Sequence, residues 1–428
     1  MEIGNVARFN EWWTTSRVNS LLLKPHKRPL FFKISGYMKD RQIILLTGLR
    51  RVGKTTLAYQ IIDELLKQKV NSLHIMYFSF DEKTANLDEL IKAYEEGVLK
   101  KKIGDERIYV FLDEIQKCSD WESRIKILYD LHPNIKFVIT GSASVKITKK
   151  AKESLAGRMF EFHLWPLSFG EFIEWKGLKL DAKNIEMFQQ QAMPLFSDYL
   201  RKGGFPEITD EESDEKIKAY IKNSVIDQII YRDLPEEFGV KDYELLNVLI
   251  ESVATNPGMI INYDALSRNL KRSKTTIINY LFYLQYAMLI RFVSNFRGGF
   301  LVSSRKMRKA YISNTAISFA MAEDFYSNSF MEKMAENFAV IETEAGNYFH
   351  NKYEVDIILK KGSKITPIEV KYGKPEIGSL LGFLGEFKIK SAVVVTKDLF
   401  DKKMIDGKQI SFVPLWAFSI NKAEYLSK

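Results

Sequence analysis

Cysteine is nearly missing from this 428-residue chain. With Cys118 alone, no disulfide can close within it, and the chain reads as one made for a reducing compartment. Also missing are a run of eighteen apolar residues and a signal-peptide core near the start, so the expectation is a cytoplasmic protein with no membrane segment. Charge of one sign does not dominate: 63 Lys and Arg face 54 Asp and Glu, leaving a net +9. An excess of that size suits a nucleic-acid partner and a solvated lysine-rich surface equally well. Length is not in short supply, and it implies two or three domains rather than one.

The residues with the clearest chemistry run from Ile43 to Leu57, IILLTGLRRVGKTTL. The apolar run Ile43 to Leu46 reads as a buried parallel strand. Gly48-Leu49-Arg50-Arg51-Val52-Gly53-Lys54-Thr55 then fits the phosphate-loop pattern GxxxxGK followed by Ser or Thr. Its glycines let backbone N–H groups turn inward around an anion. Lys54 is placed to reach the β- and γ-phosphates, and Thr55 to offer a hydroxyl to Mg²⁺. Helical apolar spacing from Thr56 to Lys67 would set those phosphates on a helix N-terminus.

A second strand, Ile108 to Leu112, runs into Asp113-Glu114 roughly sixty residues downstream. Parallel strands of such sheets bring their carboxyl ends to one edge. Asp113 is thus expected to hold Mg²⁺ through its water shell and Glu114 to polarise the attacking water. Lys136 to Ile139 is a further strand, ending at Thr140-Gly141-Ser142; Thr140 or Ser142 either touches the γ-phosphate and its water or caps the next turn. Arg158, in Leu155-Ala156-Gly157-Arg158, reads either as a finger acting in trans across an oligomer interface or as a structural ion pair. The N-terminal arm with Trp12 and Trp13 either supplies part of an adenine pocket or is a plain structural arm.

The segments RRVGKTT, FLDEIQK, TGSAS, LAGRMFEF and WPLSFGEF, within residues 43–172, resemble those of AAA+ ATPases found widely in archaea and bacteria, in which a nucleotide domain precedes a C-terminal domain of unknown function. Gly203-Gly204-Phe205-Pro206-Glu207 is similar to a turn of that family. The resemblance implies a five-stranded core sheet, ATP with Mg²⁺ as ligand, and a homo-oligomer. It also gives Arg158 the place of the family's Gly-Arg. With the loop, it implies a nucleotide site of Gly48, Arg51, Val52, Gly53, Lys54, Thr55, Thr56, Asp113, Thr140 and Ser142.

Leu245 to Phe296 reads as three helices and a β-wing, broken at Asn256-Pro257-Gly258, with Ser273 capping the third helix. Lys271, Arg272, Lys274, Thr275 and Thr276 crowd the start of that helix, where a recognition helix meets a DNA groove. Arg291, Arg297, Arg305, Lys306, Arg308 and Lys309 extend the basic surface. This resembles a winged helix, a fold that serves DNA and protein partners alike.

Near the C-terminus, Tyr353 to Leu359 and Thr366 to Lys371 read as strands around Gly362-Ser363. Centring a tight turn there sets Asp356 opposite Glu369, with Lys371 on the same face. Asp356, Glu369-Val370-Lys371 and Glu336 on the preceding helix resemble the PD-(D/E)xK nucleases, although no proline precedes Asp356. The resemblance implies Mg²⁺ on Asp356 and Glu369 and a water oriented by Lys371, or else an inherited but inactive fold. The expected class is α/β: an AAA+ parallel-sheet domain with its arm over 1–175, a helical linker or lid over 176–240, a winged helix over 241–310 and a restriction-endonuclease-like domain over 311–428.

Overall fold

The computed structural model describes residues 2–81, 86–104, 106–142, 155–296, 307–373 and 376–427, which form two units, Met1–Pro166 and Leu167–Lys428. Arg297, Arg305 and Lys306 of the expected basic face lie outside the described residues.

In the first unit, short apolar runs become parallel strands, the inner ones buried on both faces and the edge strand Met159–His163 only in part. They are β1 (Ile43–Gly48), β2 (Ile75–Ser79), β3 (Ile108–Asp113), β4 (Ile135–Ser142) and β5 (Met159–His163). The sheet order is β2-β3-β4-β1-β5, with every pairing parallel. Because β4 lies between β1 and β3, the carboxyl ends of these three strands share one edge: Leu46 is beside Thr140, and Leu112 beside Ile139. On one face Leu45, Met76, Val110, Leu112, Phe137 and Ile139 join a continuous core. The helix Lys54–Lys67 packs on β1 and β4, burying Leu57, Ile61, Ile62 and Leu65. Cys118 is buried and its thiol pushed up to about 11, first by burial, so it behaves as a small apolar residue.

The N-terminal arm is anchored on β2. β2 is an edge strand, and its exposed backbone groups need partners. The Asn10 side-chain amide donates to the Tyr77 carbonyl at 2.7 Å and its oxygen accepts from the Tyr77 N–H at 2.7 Å. The Trp12 and Trp13 indoles both donate to the Ile75 carbonyl, at 2.9 and 2.8 Å.

In the second unit a mixed sheet runs β13-β14-β12-β11-β10-β9-β7-β8-β6 among the described residues. Its strands are β6 (Met259–Ile260), β7 (Ile290–Asn295), β8 (Lys309–Ile312), β9 (Asn347–His350), β10 (Glu354–Lys361), β11 (Lys364–Lys371), β12 (Ser391–Thr396), β13 (Asp401–Ile405) and β14 (Lys408–Pro414). β6 follows the helix Tyr243–Thr255, β7 and β8 follow the helices Tyr263–Leu270 and Lys274–Tyr286, and Ser273 caps the third helix by accepting from the Thr276 N–H. β7 pairs in parallel with β9, so the strands around these helices and the carboxyl-terminal strands are one sheet. Among the described residues no helix is long and apolar enough to cross a membrane.

Candidate functional site

The loop between β1 and its helix is shaped by two left-handed residues, Arg51 (φ 65°) and Gly53 (φ 96°), the second at the N-cap of the helix, which turn the chain around a concavity. A non-glycine residue in that region costs about 1–2 kcal/mol, strain that tends to persist where a ligand uses it. Gly48 is required for a different reason: a Cβ there would lie 2.3 Å from the Leu164 carbonyl oxygen, and Leu164 is itself tied to Thr47. Gly48→Ala is expected to destabilise the protein by about 1–3 kcal/mol, read as a lowered urea midpoint; an unchanged midpoint would mean that β5 yields freely.

Lys54, 6% exposed, donates its ammonium to the Gly48 and Leu49 carbonyls at 3.1 and 2.9 Å, so the charge sits inside the loop. The Thr55 hydroxyl donates to Asp113 Oδ2 at 2.8 Å, Tyr77 donates to the same oxygen at 2.8 Å, and Thr140 donates to Asp113 Oδ1. Asp113 is 4% exposed, and three hydroxyls hold it. Glu114 has a left-handed backbone (φ 53°), and its carboxylate accepts from the Gln116 amide at 2.5 Å. The Val52 side chain is buried beneath the loop, which leaves only its backbone for a ligand, while Thr56 is half-buried on the helix. Ser142 ends β4, and its side chain lies outside the described residues. The set Lys54, Thr55, Asp113 and Thr140 is thus brought together and suits a triphosphate with a divalent ion: an ammonium, a hydroxyl and a fixed carboxylate at a helix N-terminus.

Arg158 is not part of this set. It precedes β5 at the amino end of the sheet, where its carbonyl pairs with Ile43, and its guanidinium grips Asp130 at 3.1 and 3.2 Å. Within the chain it is therefore an ion-pair residue, because parallel strands place this end a full strand length from the loop.

In the second unit, the hairpin closes with Lys361 opposite Lys364 and Ile357 opposite Ile368; the same register extended by one step pairs Asp356 with Glu369. Both carboxylates line a cavity of about 850 Å³ with Glu336, Lys309, Lys371 and Glu354. Asp356 accepts from the Val370 N–H at 2.8 Å, and Lys371 pairs with Glu369 Oε1 at 2.7 Å. Glu369 is 3% exposed, and among the described residues its Oε2 has no hydrogen-bond donor. Burial, then the charges of Glu336 and Glu369, pushes the Asp356 carboxyl well above the usual range; burial also raises Glu369 despite Lys371. A buried carboxylate oxygen lacking a donor, beside a second carboxyl held above its normal pKa, is chemistry that a hard cation satisfies. Among the described residues no three His, Cys, Asp or Glu side chains are arranged to hold a metal ion. An ion here would therefore rest on Asp356 and Glu369, with water or substrate oxygens completing its shell.

Glu336 is engaged otherwise. Its Oε1 accepts from Lys309 at 3.0 Å and from Tyr311 at 2.5 Å. Burial works against the Lys309 charge, but Glu336, Asp356 and Glu354 together outweigh it and raise its pKa. The sequence pattern gave Lys309 to the basic surface, whereas it is buried at the cavity; alternation along β8 sets Lys309 and Tyr311 on one face, the signal that could have found them. The basic face is reduced in other ways. Arg291 is half-buried with its pKa lowered by burial, while Arg272 pairs with Asp242 at 2.7 Å and Lys274 with Asp264 at 2.9 Å.

Residues 40–173 match a family described as AAA domain, and residues 193–327 match a domain of unknown function, DUF8612. The chain is 27% identical over 402 residues to an uncharacterized protein of Haemophilus influenzae, covering 88% of this chain and 95% of that protein. It is 29% identical over 414 residues to an uncharacterized protein of Methanocaldococcus jannaschii, covering 89% and 88%. Among solved structures, the Bacillus subtilis DNA clamp loader delta protein (YqeN) is 13% identical, with 60% of this chain and 88% of that chain covered at a TM-score of 0.28, a level that carries no functional argument. The first unit thus contains an AAA-type, phosphate-loop domain.

Proposed function

We propose that the chain is an ATPase of the AAA type that binds and hydrolyses ATP with Mg²⁺, and that its nucleotide state governs a nucleic-acid-processing second unit. The observation that carries the first half is the convergence of Lys54, Thr55, Asp113 and Thr140 at the carboxyl ends of three adjacent strands. In this reading Lys54 exchanges the Gly48 and Leu49 carbonyls for β- and γ-phosphate oxygens, and loop N–H groups take the remaining phosphate charge. Thr55 and Asp113 would hold Mg²⁺, which neutralises charge developing on the phosphate oxygens. Glu114 accepts the proton of the attacking water once its carboxylate leaves Gln116, and Thr140 keeps Asp113 oriented.

For the second unit, the three helices with β6, β7 and β8 are read as a winged helix, and the hairpin with its cavity as a PD-(D/E)xK-like phosphodiesterase site. There Asp356 and Glu369 would hold the metal and Lys371 would orient the water. What supports this is the donor-less Glu369 oxygen inside a cavity that also contains Lys371.

A second reading has its own support. The outer face of helix Lys274–Tyr286 presents Ile278 and Phe282, 42% and 47% exposed, where a groove-reading helix would present polar groups. That face suits a protein partner, with the ATP state acting as a switch and the nuclease-like fold inert. ATP turnover measured with and without single- and double-stranded DNA, beside a Mg²⁺- or Mn²⁺-dependent cleavage assay, separates the two. The first reading expects DNA binding that is tightest at low salt and cleavage that disappears in Glu369→Ala; no DNA binding at low salt leaves the second.

A further inference from the structure

Asp113 is held by a hydroxyl that the phosphate-loop motif does not include. Tyr77 lies in the interior of β2, two residues before its end, and is 2% exposed. Its hydroxyl donates to Asp113 Oδ2 at 2.8 Å, the oxygen that Thr55 also uses. Tyr59, one turn along the loop's own helix, stacks obliquely on the Tyr77 ring with centroids 4.8 Å apart, and Trp12 meets Tyr59 edge-on.

The backbone of Tyr77 is fixed as firmly as its ring. Both its N–H and its carbonyl are taken by the Asn10 side chain, and two residues earlier the Ile75 carbonyl takes both arm indoles. A lone edge strand has freedom to slide or fray. This one is clamped at the residue whose hydroxyl reaches the carboxylate.

We infer that Tyr77, held by Asn10 of the N-terminal arm, is a positioning residue that fixes Asp113 for the divalent ion. The inference rests on reading the first unit as a Mg²⁺-dependent ATPase. Its logic is one of retained donors. Were the Thr55 hydroxyl to turn to an ion, Asp113 Oδ2 would lose one of its two hydroxyl donors, and Tyr77 on Oδ2 would hold the carboxylate together with Thr140 on Oδ1. An outer partner of this kind sets metal affinity far more than nucleotide affinity. The arm thereby takes part in ATP chemistry without touching the nucleotide.

The test is ATP hydrolysis by full-length wild type, Tyr77→Phe and Asn10→Ala across a Mg²⁺ titration, beside binding of a fluorescent ATP analogue in EDTA. In Tyr77→Phe the Mg²⁺ concentration for half-maximal turnover is expected to rise roughly tenfold. Analogue affinity in EDTA stays within about twofold, and turnover recovers at high Mg²⁺. Asn10→Ala shifts the Mg²⁺ requirement in the same direction, and it serves as the deciding variant if Tyr77→Phe does not fold. A wild-type Mg²⁺ profile in the folded variant, or a turnover loss that high Mg²⁺ does not restore, overturns the role of Tyr77. A wild type that hydrolyses no ATP at any Mg²⁺ concentration overturns the ATPase reading itself.

Discussion

Lys54→Ala is expected to lower ATP turnover by at least about a hundredfold, the scale on which a single preorganised charge acts on a phosphoryl transition state. Lys54 is already 6% exposed inside the loop, where its ammonium donates to two carbonyls. Phosphate binding therefore exchanges one set of buried acceptors for another of higher charge and pays little new desolvation. Without the lysine, the loop keeps its N–H groups and the helix N-terminus, so a residual weak affinity for ATP remains while hydrolysis does not. Equilibrium binding and steady-state hydrolysis on the same preparation give both numbers. Turnover within about threefold of wild type would show that the loop does not grip the reacting phosphates.

The second large effect belongs to the carboxylate cavity and is one of stability as well as chemistry. Asp356 and Glu369 both bind protons more tightly folded than unfolded. The contribution of this pair to stability is therefore greatest in acid and falls as pH rises from the ordinary carboxylate range through their raised values, because the folded chain then gives up protons that burial wants kept. A divalent cation offsets this by replacing the proton. At a fixed Mn²⁺ concentration a hundredfold above its Kd at pH 8, the protein should be stabilised by about 2.7 kcal/mol, and by less at pH 6, where protons compete for the carboxylates. Asp356→Asn removes the buried charge, so in EDTA at neutral pH its melting temperature should equal or exceed that of wild type, while the Mn²⁺ increment and any metal-dependent cleavage disappear. A Mn²⁺ increment of wild-type size in Asp356→Asn would place the ion elsewhere.

Local chemistry was legible wherever an apolar run stops at a functional residue. β1 ends at the glycine-rich loop, β3 at Asp113, and the apolar run of β4 stops before Thr140, and a parallel sheet leaves few ways to arrange such ends. The hairpin register was legible too, since Gly362-Ser363 permits one tight pairing and alternation does the rest. Partners were not legible. Lys309, Arg272 and Lys274 look like a basic face in sequence, but their carboxylate partners Glu336, Asp242 and Asp264 lie 27, 30 and 10 residues away and are set by packing. The same holds for Arg158, whose Asp130 partner is on another element, and for the arm tryptophans, which satisfy an edge strand that only the sheet order reveals. Tyr77 was missed because a tyrosine within a hydrophobic strand reads as core until its hydroxyl is seen to have an acceptor.

The role of the acidic strand end is tested most directly by Glu114→Gln under single-turnover conditions with Mg²⁺ and excess enzyme. The substitution keeps the shape and leaves Asp113, Thr55 and Lys54 untouched, so ATP should bind with wild-type affinity while the hydrolysis step slows by about a hundredfold or more. Hydrolysis at the wild-type rate would contradict the assignment of the water's base. Loss of ATP binding together with hydrolysis would contradict the division of labour between Asp113 and Glu114.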